Sequence, residues 1–173
     1  MSEGLNSWIA PLSVGKRAPD FTLPHTMHAQ APLHGLRGQP VVLVFYPMDW
    51  EPVSREQLRL YQDYGDDFAA FGAQVLGISA DHVYSHNAFA RDAQIRFPLL
   101  ADFQPRGLVA RNYGVFRETH GVSARALFVL DSQRIIRFGK AYPDLLNPGV
   151  DELLTTLETL ASGDVGDEFT GAP

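Results

Sequence analysis

Apolar positions along the chain follow two different periods. The runs VVLVFY at 41–46 and QVLGIS at 74–79 are mostly apolar, as is typical of strands that are buried on both faces of a sheet. Residues 53–71, 82–93 and 149–161 instead place apolar side chains three and four positions apart, which predicts helices. Strands and helices that alternate in this way predict an α/β fold built in layers.

Shorter segments complete the pattern. Residues 18–33 are polar and broken by prolines, which indicates edge strands or a hairpin. Residues 97–102 predict a short strand or extended loop, and residues 106–113 predict a short helix. ALFVLD at 126–131 and RIIRFG at 134–139 predict two strands joined by a tight turn. We therefore expect a mixed central sheet flanked by helices.

Length, composition and charge indicate one globular domain. The chain has 173 residues, of which 45% are hydrophobic and 20% charged, enough to bury a core. We expect an irregular N-terminal arm over 1–14, the domain over 15–161 and a flexible acidic tail over 162–173. No signal peptide and no membrane-spanning run is evident, so we expect a cytoplasmic protein without a membrane partner. The net charge of -6 also argues against nucleic acid as a partner.

The turn after the strand at 41–46 is the strongest candidate site. Pro47 cannot donate to a sheet ladder and is expected to end the strand, while Pro52 suits the first turn of a helix. Ser54 then lies where free N–H groups and the helix macrodipole favour an electron-rich atom. Two interpretations stay open: Ser54 carries chemistry, or it only caps the helix, as serines often do.

Acidic residues near this turn also have two interpretations. Asp49 and Glu51 could act as paired carboxylates in acid–base chemistry, or they could only stabilise the positive end of a helix. Arg125 immediately precedes the strand ALFVLD. It is either a surface residue or an arginine that points across the sheet end toward an anion at a helix N-terminus.

Other motifs are weaker. GISAD at 77–81 half resembles a nucleophile elbow, but Asp81 replaces the final glycine, so Ser79 and Asp81 are predicted to cap the next helix. His82 and His86 would share a helix face, as in a metal pair, yet no Glu or Cys completes such a motif. The sequence contains no nucleotide-binding loop, and we expect neither a metal nor a cofactor.

Several segments together resemble the peroxiredoxins, the family of alkyl hydroperoxide reductase and thiol-specific antioxidant. The resemblance extends over about residues 12–160 and implies a thioredoxin-like fold of peroxiredoxin type, which usually forms homodimers or higher homo-oligomers. The segments that carry it are VGKRAPDFTLP (14–24), HGLRGQPVVLVFYP (34–47), DHVYSHNAFA (81–90), FPLLAD (97–102), VARNYGVF (109–116) and GVSARALFVLD (121–131).

The resemblance also identifies which residues of the turn depart from the family. The family motif is Pro-x-x-x-Thr/Ser-x-x-Cys, in which the cysteine thiolate attacks a hydroperoxide and an arginine stabilises the developing charge. Pro47 and Arg125 match this pattern. Glu51 stands at the Thr/Ser position and Ser54 at the position of the peroxidatic cysteine, in a chain that contains no cysteine.

Three functions are consistent with these departures. The first is a natural homologue that has lost peroxidase activity and has a binding, regulatory or assembly role, with a hydroperoxide or small anion at the altered pocket. Glu51 favours it, because a variant made to trap the enzyme would normally keep Thr or Ser there. The second is a one-cysteine peroxidase seen as a Cys-to-Ser variant. The third is a non-thiol enzyme that uses Glu51, Ser54 and Arg125, and it requires Glu51 to lie within hydrogen-bond range of Ser54.

Overall fold

A five-stranded sheet forms the centre of the protein, for which a computed structural model describes residues 9–163. The described strands are β1 Thr22–Pro24, β2 Gln30–Pro32, β3 Val41–Phe45, β4 Gln74–Ser79, β5 Leu99–Ala101, β6 Phe116–Arg117, β7 Val122–Ser123, β8 Arg125–Leu130 and β9 Ile136–Tyr142. The described α-helices are α1 Pro52–Asp63, α2 Gly65–Ala70, α3 Val83–Ala93, α4 Leu108–Asn112 and α5 Asp151–Ala161.

The central sheet is mixed, as the sequence predicts. Its strand order is β5-β4-β3-β8-β9. Strands β3, β4 and β5 run parallel to one another, whereas β8 pairs antiparallel with both β3 and β9. The carboxyl end of β3 therefore lies beside the start of β8, with Phe45 paired to Ala126. This pairing brings the turn after β3 next to Arg125, the first residue of β8.

Strand β3 contributes to two separate cores, one on each face of the sheet. Leu43 and Phe45 pack into the core on one face, and Val42 and Val44 pack into the core on the other. Successive side chains of a strand point to opposite faces. A strand covered on both faces therefore needs an apolar residue at every position, which explains the unbroken run at 41–46.

The long helix predicted over 53–71 is divided into α1 and α2. Tyr64 lies between them with a non-helical backbone, φ -90° and ψ 15°, and the next residue is Gly65, a poor helix former. Tyr61 and Phe68 nevertheless pack edge-to-face at 6.2 Å in the same core. The apolar period of the sequence thus predicted the buried face correctly and gave no sign of the break.

The described residues include part of each predicted terminal segment. Ala10 and Leu12 donate backbone hydrogen bonds to the carbonyls of Gly114 and Tyr113, so this end of the predicted arm lies against the domain. Residues 1–8 of the arm and residues 164–173 of the predicted tail lie outside the described residues. Between residues 9 and 163, no helix has the length and apolarity that a membrane span requires.

Candidate functional site

The turn between β3 and α1 positions the candidate residues. Strand β3 ends at Phe45, and Pro47 is buried just beyond it. Trp50 adopts a left-handed backbone conformation with φ 70°, which costs a non-glycine residue roughly 1–2 kcal/mol. Helix α1 then begins at Pro52, so Ser54 lies in its first turn, as the sequence predicts.

Glu51, rather than Ser54, is the N-cap residue of α1. Its Oε1 accepts a hydrogen bond from the Val53 amide at 2.9 Å, and its Oε2 accepts one from the Ser54 amide at 2.7 Å. A carboxylate at this position satisfies amides that would otherwise lack partners and lies at the positive end of the helix. The interpretation of Ser54 as a simple helix cap is therefore wrong.

Ser54 is fully buried between Glu51 and Arg125. Its hydroxyl donates to Glu51 Oε2 at 2.7 Å and accepts from Arg125 Nη1 at 3.2 Å. Glu51 Oε2 thus receives three protein donors, because Arg125 Nη2 also reaches it at 2.9 Å. The structure brings these three candidate residues into one hydrogen-bonded cluster.

Arg125 is a buried residue of the sheet end and not a surface arginine. Nη1 donates to the Ser54 hydroxyl at 3.2 Å and to Gln57 Oε1 at 2.7 Å. Nη2 donates to Glu51 and, at 2.8 Å, to the Asp144 carbonyl, which also accepts from Nε at 3.1 Å. A guanidinium has five N–H donors, so all of its donors have partners within the chain.

Sequence reasoning missed the neutral partners of this arginine. Gln57 lies one helical turn after Ser54 and donates from Nε2 to the Tyr61 hydroxyl at 3.1 Å, which in turn donates to the Gly149 carbonyl at 3.0 Å. Gln57 directly precedes the apolar position Leu58, and this was the available sign in the sequence that Gln57 lies close to the buried face of the helix. No local pattern indicates Asp144, which is 19 residues from Arg125.

Charge in the cluster is balanced within the chain. Partial burial alone would raise the pKa of Glu51, but hydrogen bonds from the Ser54 hydroxyl, the Val53 and Ser54 amides and Arg125 outweigh it and lower that pKa below its usual value. Burial raises the pKa of Tyr61, so its hydroxyl stays protonated. The site therefore contains one carboxylate directly paired with one guanidinium.

Asp49 and Glu51 do not form an acidic pair. Asp49 is buried on the other side of the turn, where its Oδ2 lies 2.8 Å from His86 Nδ1. Trp50 separates the two carboxylates, and its exposed ring packs edge-to-face on Phe89 at 5.4 Å. The acid–base interpretation of the pair is not supported by this geometry.

The predicted caps and the histidine pair also need correction. His82, and neither Ser79 nor Asp81, is the N-cap residue of α3, with Nδ1 accepting from the Tyr84 amide. Ser79 is instead the last residue of β4, and its hydroxyl donates to Asp81 at 2.6 Å. Because His82 caps the helix while His86 points into the core, the two imidazoles do not form a metal pair.

A different set of potential metal ligands does meet in the fold. Oxygen or nitrogen atoms of Asp49, Asp81 and His86 all lie within 4.8 Å of one another. Each of these side chains already has hydrogen-bond partners in the protein. The cluster is accounted for by its own hydrogen bonds and is not assigned as a metal site.

Comparison with known proteins agrees with this architecture. The sequence model of the AhpC/TSA family matches residues 14–138. The chain is 34% identical over 153 residues to Peroxiredoxin 2 of Thermoplasma acidophilum, covering 85% of this chain and 75% of that protein. It is 38% identical over 130 residues to Alkyl hydroperoxide reductase E of Mycobacterium bovis, covering 75% and 85% of the two chains.

Solved structures give the same result. The peroxidoxin BcpB of Mycobacterium tuberculosis superposes with a TM-score of 0.75 at 30% identity, over 85% of this chain and 97% of that one. The reduced 2-Cys peroxiredoxin of Plasmodium vivax superposes with a TM-score of 0.81 at 24% identity, over 89% and 84% of the two chains, and supports the fold alone. With the sheet order, the buried arginine beside the first turn of α1 and these matches in agreement, the chain belongs to the AhpC/TSA family, the peroxiredoxins.

Proposed function

We propose that this chain is a peroxiredoxin homologue that does not reduce hydroperoxides and has a non-catalytic role in binding, regulation or assembly. The observation that carries the proposal is the position of the Glu51 carboxylate. Its Oε2 accepts from the Ser54 amide, the Ser54 hydroxyl and Arg125. In the family, the equivalent helix N-terminus and arginine serve the thiolate and the bound peroxide. Glu51 therefore takes the place that a substrate oxygen would need.

The chemistry of residue 54 supports the same conclusion. A serine hydroxyl is far less acidic than a thiol and forms no sulfenic acid, so it cannot begin the peroxidase cycle. A carboxylate within hydrogen-bond distance would also disfavour a thiolate at this position through like-charge repulsion. Both departures from the family motif, at 51 and at 54, thus act against peroxide reduction.

The hypothesis of a non-thiol enzyme requires Glu51 to lie within hydrogen-bond range of Ser54, and this requirement is met. Glu51 Oε2 lies 2.7 Å from Ser54 Oγ, which is the distance expected of a base and its nucleophile. Ser54 is fully buried, however, and Arg125 also donates to its oxygen. A substrate would have to displace Glu51 and Arg125 to reach that oxygen, so we favour the non-catalytic role.

Peroxide consumption by three proteins tests the proposal: the chain itself, Ser54→Cys, and Ser54→Cys combined with Glu51→Thr. We expect the chain to be inert and the single variant to react no faster than a free thiol. The double variant should react at least about threefold faster than the single variant. Loss of one unfavourable charge contact is worth about a pKa unit or more, which raises the thiolate fraction about tenfold while each thiolate becomes about threefold less nucleophilic.

Two results would contradict the proposal. Turnover by the chain itself would show that thiol chemistry is not required. A fast reaction of Ser54→Cys with Glu51 retained would show that the carboxylate does not block the pocket, which would favour the interpretation as a Cys-to-Ser variant. Sequencing of the gene at codon 54 decides independently whether serine is the natural residue.

We also propose that the protein forms a homodimer or a higher homo-oligomer. Peroxiredoxins are commonly homo-oligomeric, and this chain shares their fold over most of its length. Light scattering coupled to size-exclusion chromatography should give a mass at least twice that of the 19.1 kDa chain. A monomer at micromolar concentration would refute this part of the proposal.

A further inference from the structure

A second buried polar cluster lies on the opposite side of the turn from Arg125. Its centre is the pair of Asp49 and His86, which are 4% and 1% exposed. The Asp49 carboxylate also accepts from the Tyr46 hydroxyl at 2.7 Å and the Ser85 hydroxyl at 2.8 Å. The proposed function makes no use of this cluster, and buried titratable groups need a physical account.

The hydrogen bonds of His86 determine where its protons are. Nε2 lies 3.0 Å from the Leu100 carbonyl, which can only accept, so Nε2 carries a proton. Nδ1 lies 2.8 Å from Asp49 Oδ2, and one proton must lie between these two atoms. The pair is therefore joined by one direct hydrogen bond, with Asp49 on one ring nitrogen and the Leu100 carbonyl on the other.

Polar groups from several elements surround the His86 ring. They are Tyr46 just after β3, Asp49 from the turn, Ser79 at the end of β4, Asp81 just beyond it, and Ser85 from α3. Burial and the nearby Asp49 charge raise the pKa of Tyr46, which stays neutral. The ring thus faces two carboxyl groups and no Lys or Arg side chain among these groups.

This cluster contacts the turn that presents Glu51. The Asp49 side chain is held by His86, and its backbone amide donates to Asp81 at 2.8 Å. Only Trp50, in its left-handed conformation, separates Asp49 from Glu51. A left-handed non-glycine residue persists only where its neighbours fix it. The anchor at Asp49 on one side and the helix cap at Glu51 on the other provide that constraint.

We propose that Asp49 and His86 are positioning residues, a buried and directly hydrogen-bonded pair that holds the turn and so keeps Glu51 on Arg125. The inference rests on the proposed function, because it concerns how Glu51 is kept in the altered pocket. It predicts that loss of the pair releases Glu51 and makes Arg125 available to a different anion. In the intact chain, the Glu51–Arg125 ion pair and the Asp49–His86 pair would together keep the pocket closed.

The hydrogen bonds of His86 are the first test. Nitrogen-detected NMR of the histidine-labelled chain at pH 7, with His86→Gln to assign the signals, should show a proton on Nε2 and a hydrogen bond at Nδ1. A ring without a proton on Nε2, or without a hydrogen bond at Nδ1, would overturn the pair. Addition of Zn²⁺ should leave these signals unchanged, and their replacement by metal-bound signals would assign the cluster to a metal instead.

The positioning role is tested by alkylation of a cysteine reporter. The Ser54→Cys variant serves as the background. Adding His86→Gln to it should lower the pH midpoint of the reaction with iodoacetamide toward the midpoint measured when Glu51→Gln is added instead. At pH 7 the rate should rise about threefold for each unit by which the thiol pKa falls, since more thiolate forms but each thiolate is less nucleophilic. His82→Gln is the matched control, because His82 caps α3 and packs on Tyr84 and Phe103 without a hydrogen bond to Asp49, and it should leave the midpoint unchanged.

Combining the substitutions separates positioning from general loosening. If His86 acts through Glu51, His86→Gln should have no further effect on the midpoint once Glu51→Gln is present. The same shift in both backgrounds, or no shift in either, would overturn the positioning role. If Glu51→Gln itself leaves the midpoint unchanged, the proposed function fails. If Glu51→Gln acts and His86→Gln does not, only the present inference fails.

Discussion

The ion pair between Glu51 and Arg125 leads to a quantitative stability prediction. Glu51→Gln removes the carboxylate charge and keeps the length of the side chain, but it offers one acceptor oxygen where Glu51 uses two. The measured change therefore reports the lost charge together with the loss of part of the helix cap. Arg125 is fully buried, and its other acceptors, from Ser54, Gln57 and Asp144, are neutral.

The magnitude follows from this environment. Removing one partner of a buried ion pair typically costs about 3–5 kcal/mol, because the other charge stays buried without compensation. The Glu51 side chain is 22% exposed, so water relieves part of this cost, and we expect a loss of about 3 kcal/mol. For a chain of this size that loss lowers the melting temperature by about 6–12 °C.

Urea unfolding at pH 7, followed by far-UV circular dichroism, measures the effect. Glu56→Gln is the control, because Glu56 lies on the exposed face of the same helix and its side chain makes no hydrogen bond or ion pair within residues 9–163. It should change the free energy of unfolding by less than about 0.5 kcal/mol. A loss below about 1 kcal/mol for Glu51→Gln, as for a surface ion pair, would refute the reasoning and show that neutral acceptors suffice for Arg125.

Two further predictions concern pH and backbone conformation. Because the pKa of Glu51 is lower in the folded state, its contribution is complete above its unfolded pKa and is lost as the pH falls through the folded value. Between roughly pH 5 and 3, the chain should therefore lose more stability in urea titrations than Glu51→Gln does, and equal losses would contradict the assignment. Gly107→Ala should cost about 2–4 kcal/mol in thermal unfolding, since Gly107 has φ 70° and an added Cβ would lie 2.1 Å from the Phe116 ring. Gly38→Ala, at φ 88° with open space around it, should cost only the backbone term of about 1–2 kcal/mol, and equal costs at the two sites would exclude the clash.

Local patterns predicted those elements whose side chains face a uniform environment. The run at 41–46 predicted β3 because both faces of that strand are covered. The leucines of 149–161 likewise predicted α5, of which Leu153 and Leu157 are buried. The break at Tyr64 was not predicted, because the apolar spacing continues across it to Phe68. Helix periodicity reports which face is buried and does not report a local change of direction.

The residues of the candidate site were predicted from the sequence, but their contacts were not. Pro47, Glu51 and Ser54 lie within one turn of the chain, and the family motif located them together with Arg125. Their roles depended on contacts across the sheet, such as the Asp144 carbonyl on Arg125. Glu51, and not Ser54, is the N-cap residue because a carboxylate of that length reaches two amides and the guanidinium together. No spacing rule in the sequence contains that information.

The full set of hydrogen bonds made by Arg125 affects how the family residues could be restored at positions 51 and 54. Every N–H of its guanidinium is engaged by the chain. A mutation that restores cysteine at Ser54 would meet a pocket already filled by Glu51, and a mutation of Glu51 alone would leave a buried cation facing a serine. Each single step is therefore expected to bring no gain in activity and to lower stability, the first by weakening the two hydrogen bonds of the buried Ser54 hydroxyl and the second by leaving Arg125 without its carboxylate. We therefore expect positions 51 and 54 to behave as an epistatic pair, in which selection for peroxidase activity could act only after both had changed.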